Sequence, residues 1–426
     1  MEDHDGVARM LTGLLEASHL ATFEQIPMLA AEHARHAGMD EVLIYLTDLQ
    51  QRVLRLVTGH GEDAHAGGGP AAELRVDGTL GGRAFQEIRI LAAKGPVEAA
   101  ADEADYWWVP LLDGTERLGV MRVRTAGQAD PSAQAREGDG AAVTARMRHL
   151  ASLVALMLVS SRPYSDSYAR LVRTRRMNVA AEMEWNLLPP LTFAGDRVAI
   201  GAVLEPAYQI GGDAFDYAVA GDTVHLAVFD AMGHDVAAGL AANLAMAACR
   251  NQRRHDTPLA ETSQGIERIL LEEFGSDTRF VTAVLADLDT VTGTFTWVNR
   301  GHPPPVVIRG GRWTTTLPCP PAHPMGTDMG VPVTLCTEQL QPRDRVLLYT
   351  DGITEARDRH GQEFGLQRFI DFVIRHTADG HPIPETLRRL IRTLLDHHVE
   401  PLRDDATVLL LEWHGPTITP PQPLIP

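Results

Sequence analysis

The sequence predicts an α+β protein built in two parts joined by a helix. Three observations carry that expectation. Short apolar strands follow one another across tight turns such as Asp113-Gly114, apolar strands end in aspartate at Asp230 and Asp351, and a helical stretch from Tyr164 to Leu188 stops at Pro189-Pro190. A length of 426 residues favours two or three domains, and a hydrophobic content of 44% is enough for buried cores.

Apolar positions recur at helical spacing from Leu11 to Leu29, and Val42 to Leu46 and Arg52 to Val57 read as strands. The Gly-rich segment 59–70 reads as a loop. Gly78 to Phe85 begins with turn residues and leads into a short helix. Ile88 to Ala92, Tyr106 to Leu112 and Leu118 to Val123 follow as strands, and a polar loop from Gly127 to Gly140 precedes an apolar helix from Val143 to Leu158. Trp107 and Trp108 are adjacent strand positions, so only one of them faces a given side, and core packing is the simpler role. This order, with T-L-G-G-R-A-F, W-V-P-L-L-D-G and L-G-V-M-R-V in place, resembles a GAF domain over residues 10–160. The resemblance implies a module that senses, regulates or dimerises; a homodimer is one expected state, and the small-molecule or protein signal is unknown. No cysteine lies in this half, which argues against a thiolate-attached haem or bilin.

The 56 acidic and 38 basic residues give a net charge of -18, which argues against a nucleic-acid partner, because backbone binding rests on a basic surface. Cys249, Cys319 and Cys336 lack the spacing of a zinc knuckle or redox pair, so packing roles in a reducing cytoplasm are expected. The start, MEDHDGVARM, is acidic where a signal peptide is basic, and no apolar run reaches the roughly 18 residues that span a bilayer, so no membrane span is expected. Residues 161–190 are expected to form a linker helix with Val179, Met183 and Leu187 on one face and Arg170, Arg173, Arg175 and Arg176 in its first half. It is either a signalling helix or a solvated helix docked on its own domain.

Beyond Pro190, the strand Val198 to Leu204 runs towards Gly211 and Gly212, which are expected to take conformations closed to other residues and to place Asp213 at the mouth of the next strand. Val224 to Asp235 delivers Asp230 into a turn that opens a helix. A helical pair spans 236–274, and strands Val281 to Leu288 and Thr294 to Asn299 lead to Asn299, Arg300 and His302. Asp351 ends a later strand in the same manner, and Asp404 and Asp405 precede the strand Val408 to Trp413. Strand-end carboxylates meeting in one place repel unless cations neutralise them, and oxygen-only donors suit Mg²⁺ or Mn²⁺ better than zinc or copper.

The motifs G-G-D-A-F-D, F-D-A-M-G-H-D, N-R-G-H-P-P-P, L-Y-T-D-G-I-T-E and R-D-D-A-T, in this order over residues 195–414, resemble the type 2C metal-dependent protein phosphatases. The likeness is to the bacterial branch that governs sporulation, the general stress response and sigma factor regulation. It implies an α-β-β-α sandwich of two antiparallel sheets over residues 191–414, and the Pro-rich composition of 415–426 reads as a disordered tail. It also implies a phosphoserine/phosphothreonine protein phosphatase with two or more Mn²⁺ or Mg²⁺ ions. Under that resemblance Asp230 bridges two cations, Ala231 offers its carbonyl, Asp213 binds the second ion, and Asp351 and Asp404 bind the first. Asp230 and Asp351 are then the catalytic pair, with Asp235, Asn299, His302 and Asp405 in support. Water attacks phosphorus in line without a phosphoenzyme, and no cysteine here has the C-x₅-R spacing of a thiol phosphatase. The implied substrate is a phosphorylated anti-anti-sigma protein of the STAS type.

His302 either protonates the leaving group or braces its turn, and Asn299 is expected to fix loop geometry. Asp235 stands where the family has glycine; it is either a helix N-cap or an added carboxylate that tightens metal binding. Whether Arg300 or Arg403 meets phosphate is open. Two other readings are carried forward: a weak or inactive phosphoprotein-binding sensor module, and a hydrolase of small phosphate esters.

Overall fold

The computed structural model describes residues 2–58, 71–93, 106–125, 137–209, 211–275, 279–357, 360–397, 402 and 404–416. The expected loop at 59–70, most of the loop at 127–140, most of the tail and Arg403 lie outside these residues. The chain divides into two compact units, the first ending at Thr174 and the second beginning at Arg175.

In the first unit, α1 (Glu2–Ser18) and α2 (Ile26–Ala34) precede β1 (Met39–Thr47), β2 (Val53–Leu56) and β3 (Glu73–Arg75). Then come α3 (Leu80–Glu87), β4 (Leu91–Ala93), β5 (Tyr106–Asp113), β6 (Glu116–Thr125), α4 (Glu137–Ser161) and α5 (Asp166–Val172). The single helical run expected from Leu11 to Leu29 is broken, because a 3-10 turn starts after Thr22, whose N–H donates to Gln25 Oε1 at 3.0 Å. The six strands form one antiparallel sheet in the order β3-β2-β1-β6-β5-β4. One face buries Ile44, Leu111 and Val123 against Met10, Leu14 and the α4 residues Met147, Leu150 and Val154. The other buries Tyr45 and Trp108 with Phe85 of α3. Trp107 packs on the first face and Trp108 on the second, as strand alternation requires.

One helical stretch, Ala141–Ser161, is long and apolar enough to cross a membrane by length and composition, which corrects the expectation that no such run exists. Its Met147, Leu150, Val154 and Leu158 are buried in the core just described, the ordinary behaviour of a core helix.

The second unit contains α6 (Val179–Leu187), β7 (Thr192–Ala194), β8 (Val198–Glu205), β9 (Asp213–Ala220), β10 (Thr223–Ala231), α7 (Val236–Arg253) and α8 (Leu259–Phe274). These are followed by β11 (Val281–Asp289), β12 (Thr294–Arg300), β13 (Val306–Arg309), β14 (Trp313–Thr316), β15 (Cys336–Gln339) and β16 (Arg345–Tyr349). The short α9 (Asp351–Glu355), then α10 (Leu366–Ala378), α11 (Ile383–His397) and β17 (Ala406–Trp413) complete it. Two antiparallel sheets result, ordered β15-β12-β11-β10-β9 and β14-β13-β16-β17-β8-β7. Inward-facing Phe215, Val228, Val284 and Phe295 of the first meet Ile200, Val346, Leu409 and Leu411 of the second. The outer face of the first sheet is covered by α7 and α8, and that of the second by α10 and α11. This is the expected α-β-β-α sandwich.

The linker differs from expectation. Instead of one helix from Tyr164 to Leu188 there are two, α5 and α6, with separate N-caps at Ser165 and Asn178. Val179 and Leu187 are exposed, and the buried face of α6 is Ala180, Ala181 and Glu184. Small residues permit this packing: a Cβ on Gly239 of α7 would sit 2.9 Å from the Ala180 Cβ. Trp185 Nε1 donates to Ala207 O at 2.8 Å, so α6 is built into the second unit. Cys319 and Cys336 form a disulfide with Cα atoms 5.9 Å apart, correcting their assignment as packing thiols; only Cys249 is free and buried. Their partnership is tertiary, created when the chain after β14 returns as edge strand β15, so no local spacing announces it.

Candidate metal centre

The β9–β10 ladder sets Asp213 directly opposite Asp230 at the end where β9 begins and β10 finishes. Strand alternation then sorts side chains by face. Phe215 and Val228 point between the sheets with these two aspartates, whereas Ala214 and Phe229 point towards α7. From the second sheet, β16 delivers Thr350 and Asp351, and the start of β17 delivers Asp405 and Thr407.

Asp213 is buried, and its Oδ2 accepts from Thr350 Oγ1 at 2.6 Å and from Thr407 Oγ1 at 2.7 Å. Burial, then the charges of Asp230 and Asp405, push its carboxyl well above the usual range, and the two hydroxyls pull the other way. Asp230 is pushed up to about 8 by burial and by Asp351, Asp404 and Asp405. Asp404 is exposed as a residue, and its carboxyl is shifted upward by partial desolvation and by the charges of Asp351 and Asp405, against the pull of the Asp405 N–H it accepts.

Asp405 has a different task from its neighbour. Its Oδ2 accepts the backbone N–H groups of Gly211, Gly212 and Asp213 at 2.7, 2.6 and 3.2 Å, anchoring the loop that presents Asp213. Burial raises this carboxyl and the three donors oppose the rise. The glycines are needed for space: neither Gly211 nor Gly212 has positive φ, which corrects the conformational reason expected for them. A Cβ on Gly212 would lie 2.6 Å from Ala231 O and 2.7 Å from Gly233 O, and one on Gly211 would lie 2.4 Å from His234 Cα. Similarly, a Cβ on Gly352 would lie 1.9 Å from Asp405 O, so the turn after Asp351 closes only with glycine.

His302 is buried with both ring nitrogens engaged: Nδ1 lies 2.8 Å from Thr282 Oγ1 and Nε2 lies 3.0 Å from Tyr349 O. A carbonyl can only accept, so Nε2 carries the proton and Nδ1 accepts from the hydroxyl. Burial drives its pKa down to about 4, and the neutral ring braces the strand end before Thr350. Asn299 closes the same turn, accepting from His302 N at 2.9 Å and donating to His302 O at 2.8 Å. Arg300 is buried in contacts with Ser263, Glu267 and His323 and so does not face the aspartates. Asp235 caps α7 by accepting from Ala238 N at 2.8 Å and pairs with Arg279 through both oxygens at 3.1 and 3.2 Å. Its side chain is occupied with the helix end, which matches the N-cap reading of the two set out for it.

Among the described residues, none of Asp213, Asp230, Asp351, Asp404 and Asp405 has an ion pair with Arg or Lys, and no three acid, imidazole or thiol groups close into a ready cation cage. The donors nevertheless fit a hard divalent cation: carboxylate oxygens that repel one another, beside a loop of carbonyls approached closely at Gly212. Thr350, Thr407 and Thr282 are the supporting residues that sequence reasoning missed. The first two sit beside or near Asp351 and Asp405 in the motifs, which is the signal that would have found them.

Residues 220–414 match the sequence family described as Stage II sporulation protein E (SpoIIE). The chain is 22% identical over 237 residues to the phosphoserine phosphatase RsbU of Bacillus subtilis (strain 168), covering 55% of this chain and 69% of that one. It is 24% identical over 250 residues to protein IcfG of Synechocystis sp. (strain ATCC 27184 / PCC 6803 / Kazusa), covering 51% of this chain but 38% of that relative. A crystal structure of the RsbU and RsbW domains of Rv1364c from Mycobacterium tuberculosis overlays with a TM-score of 0.46 at 25% identity, covering 54% of this chain and 64% of that one.

Proposed function

Taking residues 220–414 as a domain of the SpoIIE type, we propose that this protein is a metal-dependent phosphoserine/phosphothreonine protein phosphatase. The observation that carries the reading is the facing pair Asp213 and Asp230, with Asp351 and Asp404 acting electrostatically on Asp230 and no arginine or lysine pairing with any of them among the described residues. In this reading Asp213, Asp230, Asp351 and Asp404, with the carbonyl of Ala231, would hold the divalent cations. Mn²⁺ or Mg²⁺, when bound, supplies charge neutralisation for phosphoryl oxygens and acidifies the attacking water. The protein's own part is to hold these oxygens: Asp405 fixes the Gly211–Asp213 loop, and Asn299 and His302 brace the strand end before Thr350. Proton donation to the leaving group is not assigned to His302, whose nitrogens are both engaged.

The substrate we assign is a phosphorylated anti-anti-sigma protein of the STAS type, with the GAF-like unit answering an unidentified signal. Against a permanently reducing setting stands the Cys319–Cys336 bond. Manganese-dependent phosphate release by the full chain tests the reading, with a phosphorylated STAS protein and a small aryl phosphate compared beside Asp230→Asn. Preference for the protein substrate, lost in the variant, is expected. Equal activity of the variant and the wild type would sink the site assignment, and preference for the aryl ester would replace the protein substrate.

A further inference from the structure

We propose that Thr350 and Thr407 are specificity-determining positioning residues, which saturate one oxygen of Asp213 and leave the other as a single-oxygen ligand for a small six-coordinate cation. The inference rests on the metal reading above and goes beyond it to a pair of hydroxyls. Both come from the second sheet, and both meet the same atom, Oδ2, at 2.6 and 2.7 Å. Thr350 Oγ1 also accepts from Thr407 N at 2.9 Å, which orients its own proton away from that donor and towards Asp213. Asp405 holds the backbone of Asp213 from the other side through the loop N–H groups. Neither the carboxyl plane nor the backbone beneath it is therefore free to turn.

The consequence is a choice between cations. Ca²⁺ accepts six to eight oxygens in flexible geometry and commonly takes a carboxylate through both oxygens, whereas Mg²⁺ requires a near-octahedral arrangement at shorter distance. A carboxylate with Oδ2 already bound to two hydroxyls can present Oδ1 alone. The clamp thus withholds the two-oxygen mode open to Ca²⁺ and leaves Oδ1 for single-oxygen ligation. Supporting hydrogen bonds of this kind commonly change metal affinity by about 10- to 100-fold when removed.

Calorimetric titration of the full chain with Mn²⁺, Mg²⁺ and Ca²⁺ tests this, using wild type, Thr407→Val, Thr407→Ser and the double variant Thr350→Val/Thr407→Val. Thr407→Val keeps the side chain's shape, and the thermal transition of the metal-free protein reports any general loss of stability. Expected is a fall of about 10-fold in Mn²⁺ affinity for Thr407→Val, with Ca²⁺ affinity unchanged or raised, a larger change of the Mn²⁺/Ca²⁺ ratio in the double variant, and the wild-type ratio in Thr407→Ser. An unchanged ratio in both valine variants overturns the proposal while leaving the metal reading intact, as does a serine variant that loses as much as valine. Absence of Mn²⁺ binding to the wild type overturns both.

Discussion

Two aspartates three residues apart on one strand show how the two faces of β9 differ. Asp216 faces the helices, where Arg250 reaches its Oδ1 at 3.0 and 2.7 Å and Arg253 reaches its Oδ2 at 2.7 Å. Asp213 faces the space between the sheets, where it meets two threonine hydroxyls and the charge of Asp230. Both are buried to within 2% of their surface. Burial therefore does not separate a structural carboxylate from a candidate ligand; the partner does. A guanidinium answers the charge of Asp216 within the fold, and among the described residues no arginine or lysine pairs with Asp213 or Asp230.

The sharpest break in that contrast comes at Asp230. Asp230→Asn removes the charge at the centre of the cluster and is expected to lower phosphatase turnover by about 10²- to 10³-fold, the size of losing one preorganised electrostatic partner. Circular dichroism should stay as in the wild type, because among the described residues no side-chain hydrogen bond involves Asp230. Asp216→Asn is the converse. It strands two arginines and is expected to cost about 3 kcal/mol of stability, read as a lower denaturant midpoint, with Mn²⁺ affinity unchanged. If Asp216→Asn weakened Mn²⁺ binding as strongly as Asp230→Asn, the two faces would not be independent.

A smaller, graded effect concerns pH in the metal-free protein. The Asp230 carboxyl rises from 3.8 to about 8 on folding, so the folded form keeps a proton that the unfolded chain releases. Its contribution to stability is complete below about 3.8 and is lost as pH climbs to about 8. Thermal transitions across that window should fall with pH, and fall less steeply in Asp230→Asn, where Asp213, also raised, still contributes; a rise with pH in the wild type would contradict the assignment. The smallest effect is expected for Asp235→Gly, which removes an exposed N-cap and the Arg279 pair. A slight fall in melting temperature with unchanged metal dependence is the expected result, and altered metal dependence would return Asp235 to the centre.

Much of this was legible in the chain. The strand that carries Asp230 and the strand that runs up to Asp351 announce themselves by apolar runs ended by turn residues. Between Asp351 and Asp404, by contrast, the reading of the sequence places no element, although α10 and α11 lie there and cover the second sheet. In α6, helical spacing correctly marks a helix, yet the apolar row Val179, Met183 and Leu187 includes two exposed residues, because close approach to α7 selects the face with Ala180.

By itself the sequence determined which residues carry carboxylate oxygens, that Asp213 and Asp230 stand near strand ends, and that none of its three cysteines has the C-x₅-R spacing of a thiol phosphatase. Those properties are local, set by side-chain type, strand period and turn residues. Only the tertiary structure decided what each group meets. Asp404 and Asp405 are adjacent in the chain, yet one is exposed and the other receives the N–H of Gly211, 194 residues away. Thr407 reaches Asp213 across the same separation. Arg300 turned inward to Glu267, and Cys319 found Cys336. Partnership of this kind depends on how two sheets and their covering helices stack, and the free energy of a buried polar group is set by that partner and not by its neighbours in sequence.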